Sequence, residues 1–196
     1  MQLKKLKETV EKIIGNDSKN KYLYHNIDHT LDVLDAAENL ISRTQTEPET
    51  AILIRSAALL HETGMTRSLQ HHEEESVQIA NEILPDFGYS RQQIARIADL
   101  ILATQMPQKP FDDASKILCD ADLDYLGRKD YFIISHKLRF EWIIRDGFTE
   151  DLVKWYKSQI VFLEQHQYFT EAARKLRDKD KQHNLQLVKE LLNTAR

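Results

Sequence analysis

Apolar residues recur along most of the chain at spacings of three and four, the period of an α-helix, and the strict alternation of a half-buried strand is hard to find. The phasing predicts helices near 3–14, 29–43, 48–62, 71–84, 90–105, 113–126, 129–145, 150–166 and 170–193. Punctuation agrees with these limits. Pro48 falls in a first helical turn, Gly64 follows "LLHE", and Gly88 follows "ILPDF". Ser90 with Gln93 makes a capping box, and Thr170 precedes another helix start. "MPQKPFDD" reads as a rigid connector. The expected fold class is all-α, one helical domain over residues 1–196 with a C-terminal helical extension. From about Thr170 the composition becomes strongly charged, which predicts an exposed terminal helix.

The length of 196 residues suffices to bury a core without staples. A net charge of −4 gives no basic surface for a duplex backbone, so nucleic-acid duplex binding is not expected. Lys4, Lys5 and Lys7 sit beside Glu8 and Glu11 and read as a solvated helix face. The one cysteine, Cys119, rules out an internal disulfide framework and suits a reducing compartment. The first residues lack the apolar core of a secretory signal, and no apolar run approaches the roughly 20 residues of a membrane span. Cytoplasmic localisation without membrane association is the expectation.

Helix geometry then singles out ionisable residues that face the core. Each residue turns by about 100°. His29 falls within the arc of Val33, Leu34, Ala36, Ala37, Leu40 and Ile41, whereas Asp32, Asp35, Glu38 and Asn39 lie outside it. On "KILCDADLDYLG", Asp122 projects between Leu118 and Tyr125, while Asp120 and Asp124 project away. His72 shares the side of Ser76, Ile79, Ala80 and Ile83, and His71 points to solvent. The helix over 51–62 is apolar almost throughout, which makes it the central helix, with His61 and Glu62 as its last residues. An unpartnered buried charge is costly, but several converging on a metal ion are not. Each residue alone has a plainer reading. A lone inward histidine usually bonds a carbonyl, Glu62 is within reach of Arg67, Asp122 can pair locally, and "HHEEE" is a typical solvated first turn. Their joint occurrence in this order favours a metal site. Imidazoles with carboxylates suit a first-row divalent ion with open positions.

A histidine in "HT", a His–acid pair closing an apolar helix, and an aspartate in "DAD" follow one another here. That order resembles the HD superfamily of metal-dependent phosphohydrolases. The likeness covers about residues 22–128, leaving about 129–196 as C-terminal helices. "YHNIDHTLDVL", "AALLHETG", "HEEESVQIANEILPDFGYS", "ILATQMPQKP" and "CDADLDYLG" look like one bacterial subgroup of predicted HD phosphohydrolases. The resemblance implies His29, His61, Glu62 and Asp122 as metal ligands, with Glu62 standing where the family has Asp. His72 matches a histidine that helps hold a second ion in two-metal members. Near "ATQM", where those members supply another histidine, this chain has Thr104 and Gln105, so one divalent ion (Mn, Mg, Fe or similar) is expected per site.

The activity so implied is hydrolysis of a phosphomonoester or phosphodiester by a metal-activated water, in a nucleotide or similar small phosphorylated molecule. Glu62 and His72 are the catalytic candidates. His25, His72, Gln105 and Arg128 are the candidate substrate contacts, although His25 reads equally as a structural residue of the turn before His29, and Arg128 as a helix C-terminal cation. The alternative function is a catalytically degenerate HD domain serving as a metal- or nucleotide-binding regulatory module, and Glu62 is the feature that favours it.

Overall fold

The computed structural model describes residues 2–15, 22–146 and 151–194. Among them the structure is all-α, and the helix limits agree within two residues with those read from the sequence, except that the helix expected over 113–126 ends at Asp122. They form two compact units, Met1–Asp122 and Leu123–Arg196.

The first unit contains α1 (Leu3–Gly15), α2 (Ile27–Ser42), α3 (Pro48–Leu60), α4 (His72–Ile83), α5 (Arg91–Ala103) and α6 (Asp113–Asp122), with short 3-10 turns at Thr63–Thr66 and Leu84–Phe87. Capping sets several of these limits. The Asn26 side chain accepts from the amides of Asp28 and His29 and so starts α2. Ser90 and Gln93 form the capping box of α5, and Pro48 occupies the first turn of α3. α3 packs against all five other helices of the unit. Its Ile54, Ala57, Ala58, Leu59 and Leu60 are fully buried, which is why its apolar pattern runs nearly all round.

The second unit contains a 3-10 turn (Asp124–Gly127) and then α7 (Tyr131–Asp146), α8 (Leu152–Gln165) and α9 (Glu171–Thr194). The 3-10 turn is clipped to α9. Arg177 donates to both Asp124 oxygens at 2.7 and 2.9 Å, and Asn184 donates to the carbonyls of Leu126 and Arg128 at 2.9 and 2.8 Å. Trp155 is fully buried, its ring edge-to-face with Trp142 at 5.6 Å.

Three expectations from the sequence are corrected. Asp120 and Asp124 were expected to project away from the apolar arc, yet both are buried. α6 is covered by α2, α3 and α5, so it buries more than one arc. Asp124 lies beyond the end of α6, on a 3-10 turn of three residues per turn, where a 100° projection no longer applies. The charged terminal helix is not simply exposed. α9 buries Ala173, Lys181, Asn184, Leu185, Val188 and Leu192, and the polar members of that face bond backbone carbonyls.

Candidate metal centre

Three segments of the first unit bring the candidate ligands together. His29 lies in the first turn of α2, behind the Asn26 cap, with its ring 4.5 Å from that of Tyr24. His61 caps the C-terminus of α3, and Glu62 leads into the next turn, so the helix ends slightly before the pattern suggested. Asp122 is the last residue of α6. A carboxylate there stands at the negative end of the helix dipole, where it needs donors or a cation.

Each of His29, His61, Glu62 and Asp122 offers one ligand atom, and the four atoms lie within 4.8 Å of one another. His29 Nε2 is 3.4 Å from Asp122 Oδ1 and 3.9 Å from Glu62 Oε1. His61 Nε2 is 3.5 Å from each of the same two oxygens. Donors bonded to one ion at about 2.0–2.2 Å can stand at most about 4.4 Å apart, so these pairs are compatible with a shared ion. Hydrogen bonding points the same way. The His61 Nδ1 faces the Ala58 carbonyl at 2.8 Å, and a carbonyl only accepts, so Nδ1 carries a proton and Nε2 is the free ligand atom. His61 Nε2 and Glu62 Oε2 are buried and have no hydrogen-bond partner. Buried polar atoms without partners are costly, and a cation is what this donor set fits.

The electrostatics follow from the same packing. Burial opposes the charge of Asp122, but the imidazoles of His29 and His61 outweigh it and hold the carboxyl well below the usual range. Burial likewise opposes ionised Glu62, and His25, His72 and His61 overcome it. Both carboxylates therefore remain charged inside the bundle wherever positive charge faces them, and a divalent cation is an alternative source of it.

The turn after α3 is held by α4. Ser76 Oγ donates to the His61 carbonyl at 2.7 Å and accepts from the Gly64 amide at 2.8 Å. Gly64 has no room for a side chain, because a Cβ there would lie 1.9 Å from the His72 carbonyl oxygen and 2.5 Å from the Ser76 nitrogen. This contact sets His72 beside Glu62, with Nε2 3.7 Å from Oε1 and Nδ1 3.5 Å from Glu73 Oε2. Burial lowers the basicity of His72, but Glu62 and Glu73 dominate and raise its pKa to about 9. His71 takes a left-handed conformation (φ 59°) and its side chain is 75% exposed, against 19% for His72. The "HHEEE" turn is not wholly solvated, since Glu73 is buried.

The other candidates distribute as follows. The His25 ring stands 6.0 Å from that of His72 and 6.3 Å from that of His29. Gln105 donates to Glu74 at 3.1 Å. Arg128 belongs to the second unit, where it donates to both oxygens of Asp130. Arg67 is not the partner of Glu62, because it is bidentate to Glu82. Thr104 turns its hydroxyl back to the Ile101 carbonyl. Sequence reasoning missed Ser76 as the clip of the turn, and Tyr22, whose hydroxyl donates to the Met65 carbonyl at 2.8 Å. It also missed Gln108, whose amide donates to Asp122 Oδ2 at 2.9 Å.

No helix among the described residues is long and apolar enough to cross a membrane. The fold is similar to that of a predicted HD superfamily hydrolase from an uncultured Thermotogales bacterium, with a TM-score of 0.63 and 23% identity over 96% of this chain and 92% of that one. None of the curated proteins is a significant match. The sequence profile of the HD domain matches residues 26–124, just over half of the chain, and spans all four clustered residues. This chain belongs to the HD domain family.

Proposed function

We propose that the protein is a metal-dependent phosphohydrolase that cleaves a phosphomonoester or phosphodiester bond in a nucleotide or similar small molecule, and that it works in the cytoplasm with one divalent ion. The observation that carries this reading is the cluster of His29, His61, Glu62 and Asp122, the first three buried and Asp122 partly so, with two of its polar atoms lacking partners. A divalent ion bound there supplies a Lewis acid, which lowers the pKa of water and polarises a phosphoryl oxygen. The protein's own part is to fix the donors and to handle protons and phosphate. His29, His61 and Asp122 anchor the site. Glu62 either ligates with Oε1 or accepts a hydrogen bond from the attacking water. His72 and His25 flank Glu62 and serve as donors to phosphoryl oxygens or as proton carriers.

The test is metal analysis of the purified protein, followed by assays on an aryl phosphate, an aryl phosphodiester and a nucleotide panel with manganese, magnesium or ferrous iron. Turnover that requires metal and stops on chelation is expected. Metal uptake without turnover would instead leave a binding module, and no uptake would remove both readings.

The paired histidines give a sharper check. His72→Ala is expected to lower the rate about tenfold, the cost of one charge-assisted hydrogen bond to phosphate. His71→Asn, which tolerates the left-handed conformation, should leave the rate unchanged. Initial rates of the two variants, with circular dichroism as the folding control, decide the matter.

A further inference from the structure

We infer that Gln108 is a positioning residue for the metal centre, holding Asp122 so that it offers one oxygen to the ion; this rests on the metal-centre reading above. Gln108 lies in the connector between α5 and α6, and its side-chain nitrogen faces two acceptors. One is Asp122 Oδ2 at 2.9 Å and the other is the Cys119 carbonyl at 3.2 Å. Neither acceptor can donate when Asp122 is ionised, so the amide orientation is fixed, with its NH2 toward both groups. Cys119 lies in the last turn of α6, where helix carbonyls lack in-helix partners. The amide thus closes the helix end and grips the carboxylate that follows it.

The connector and α6 also meet at the last carbonyl of α5. The Cys119 thiol donates to the Ala103 carbonyl at 3.2 Å, and the Lys109 amide donates to the same carbonyl at 3.2 Å. Gln108 therefore stands on a braced backbone.

The carboxylate divides its two oxygens. Oδ2 is taken by Gln108, while Oδ1 faces His29 and His61 at 3.4 and 3.5 Å. With Oδ2 engaged, Asp122 presents a single ligand oxygen, aimed at the two imidazoles. A neutral amide suits this place. A lysine could make similar bonds, but its charge would oppose a cation and cancel that of Asp122. Partners of this kind commonly set the orientation and strength of a metal ligand.

The experiment compares the parent protein with Gln108→Met, which keeps the length and loses the donors, and with Lys109→Met, an exposed neighbour on the same connector. Manganese affinity is read by calorimetry, the d–d absorption of the cobalt-loaded protein reports coordination, and thermal melting of the metal-free proteins reports folding. Gln108→Met should weaken manganese binding at least about tenfold and alter the cobalt spectrum, with the metal-free melting temperature unchanged. Lys109→Met should match the parent throughout. Parent-like affinity and spectrum in Gln108→Met would overturn the inference and leave the metal centre standing. So would a loss of affinity matched by a fall in the metal-free melting temperature, which would make Gln108 a structural residue only. A parent protein that takes up neither metal would remove the metal centre and this inference together.

Discussion

Glu62→Gln is expected to weaken divalent-metal binding by about 10- to 100-fold and to cut metal-dependent hydrolysis at least as much. Such losses follow even when partners outside the coordination sphere are removed. Gln keeps the shape of Glu and removes the charge. The Glu62 carboxylate is buried, its Oε1 lies between 3.5 and 3.9 Å from the Nε2 atoms of His29, His61 and His72, and its Oε2 has no hydrogen-bond partner. The competing role, an ion pair with Arg67, is excluded by the bidentate pairing of Arg67 with Glu82. Glu62→Asp keeps the charge but withdraws it by one methylene, about 1.5 Å, beyond the roughly 0.5 Å that a working site tolerates without adjustment. The expected order of affinity is therefore parent, then Asp, then Gln, measured by titration of the metal-free proteins with manganese. Equal affinity in parent and Gln would return Glu62 to a structural role.

Gly64→Ala should be damaging through sterics alone. The added carbon would meet the His72 carbonyl oxygen at 1.9 Å and the Ser76 nitrogen at 2.5 Å, and both are backbone atoms. No rotamer change relieves such a clash, so the first turn of α4 must move away from the turn after α3. Overpacking of this kind costs about 1–3 kcal/mol and sometimes more, or about 2–4 °C of melting temperature per kcal/mol for a chain of this size. Displacement of α4 also strips Ser76 from the His61 carbonyl and moves His72 from Glu62, so metal uptake and turnover should fall with stability. Gly15→Ala is the control. A Cβ at Gly15 meets nothing within 4 Å, and its melting temperature should stay near the parent's. A Gly64→Ala protein with the parent's melting temperature and metal affinity would show that the α4 contact is softer than its geometry implies.

How much of this was legible depends on where the backbone is regular. The inward facing of His29 and His72 could be read by counting 100° steps, because each sits on a helix with one well-defined apolar arc. His61 and Glu62 were found by position at the end of an apolar run, yet their joint geometry depends on the helix stopping at Leu60 and on a 3-10 turn that no periodicity announces. Asp120 and Asp124 were misplaced for the same physical reason, a short helix covered on several sides and then a change of period. Gln108 was invisible. It stands in a connector between two prolines, where residue spacing carries no information about direction, and only the folded chain shows that it meets Asp122. On α9 the inward residues include Lys181 and Asn184, whose partners are backbone carbonyls that a side-chain pattern cannot reveal.

The ligand set draws on α2, on the end of α3 and on the end of α6, so its first and last members are separated by most of the first unit. On the metal-centre reading, an ion shared by His29 and Asp122 would tie together residues far apart in the chain, and because the unfolded chain has no such site, its binding energy would stabilise the folded unit. In a secreted protein a disulfide ties distant residues together covalently. With Cys119 as its single cysteine, this chain can make no such bond within itself, and a bound ion would be its reversible tie.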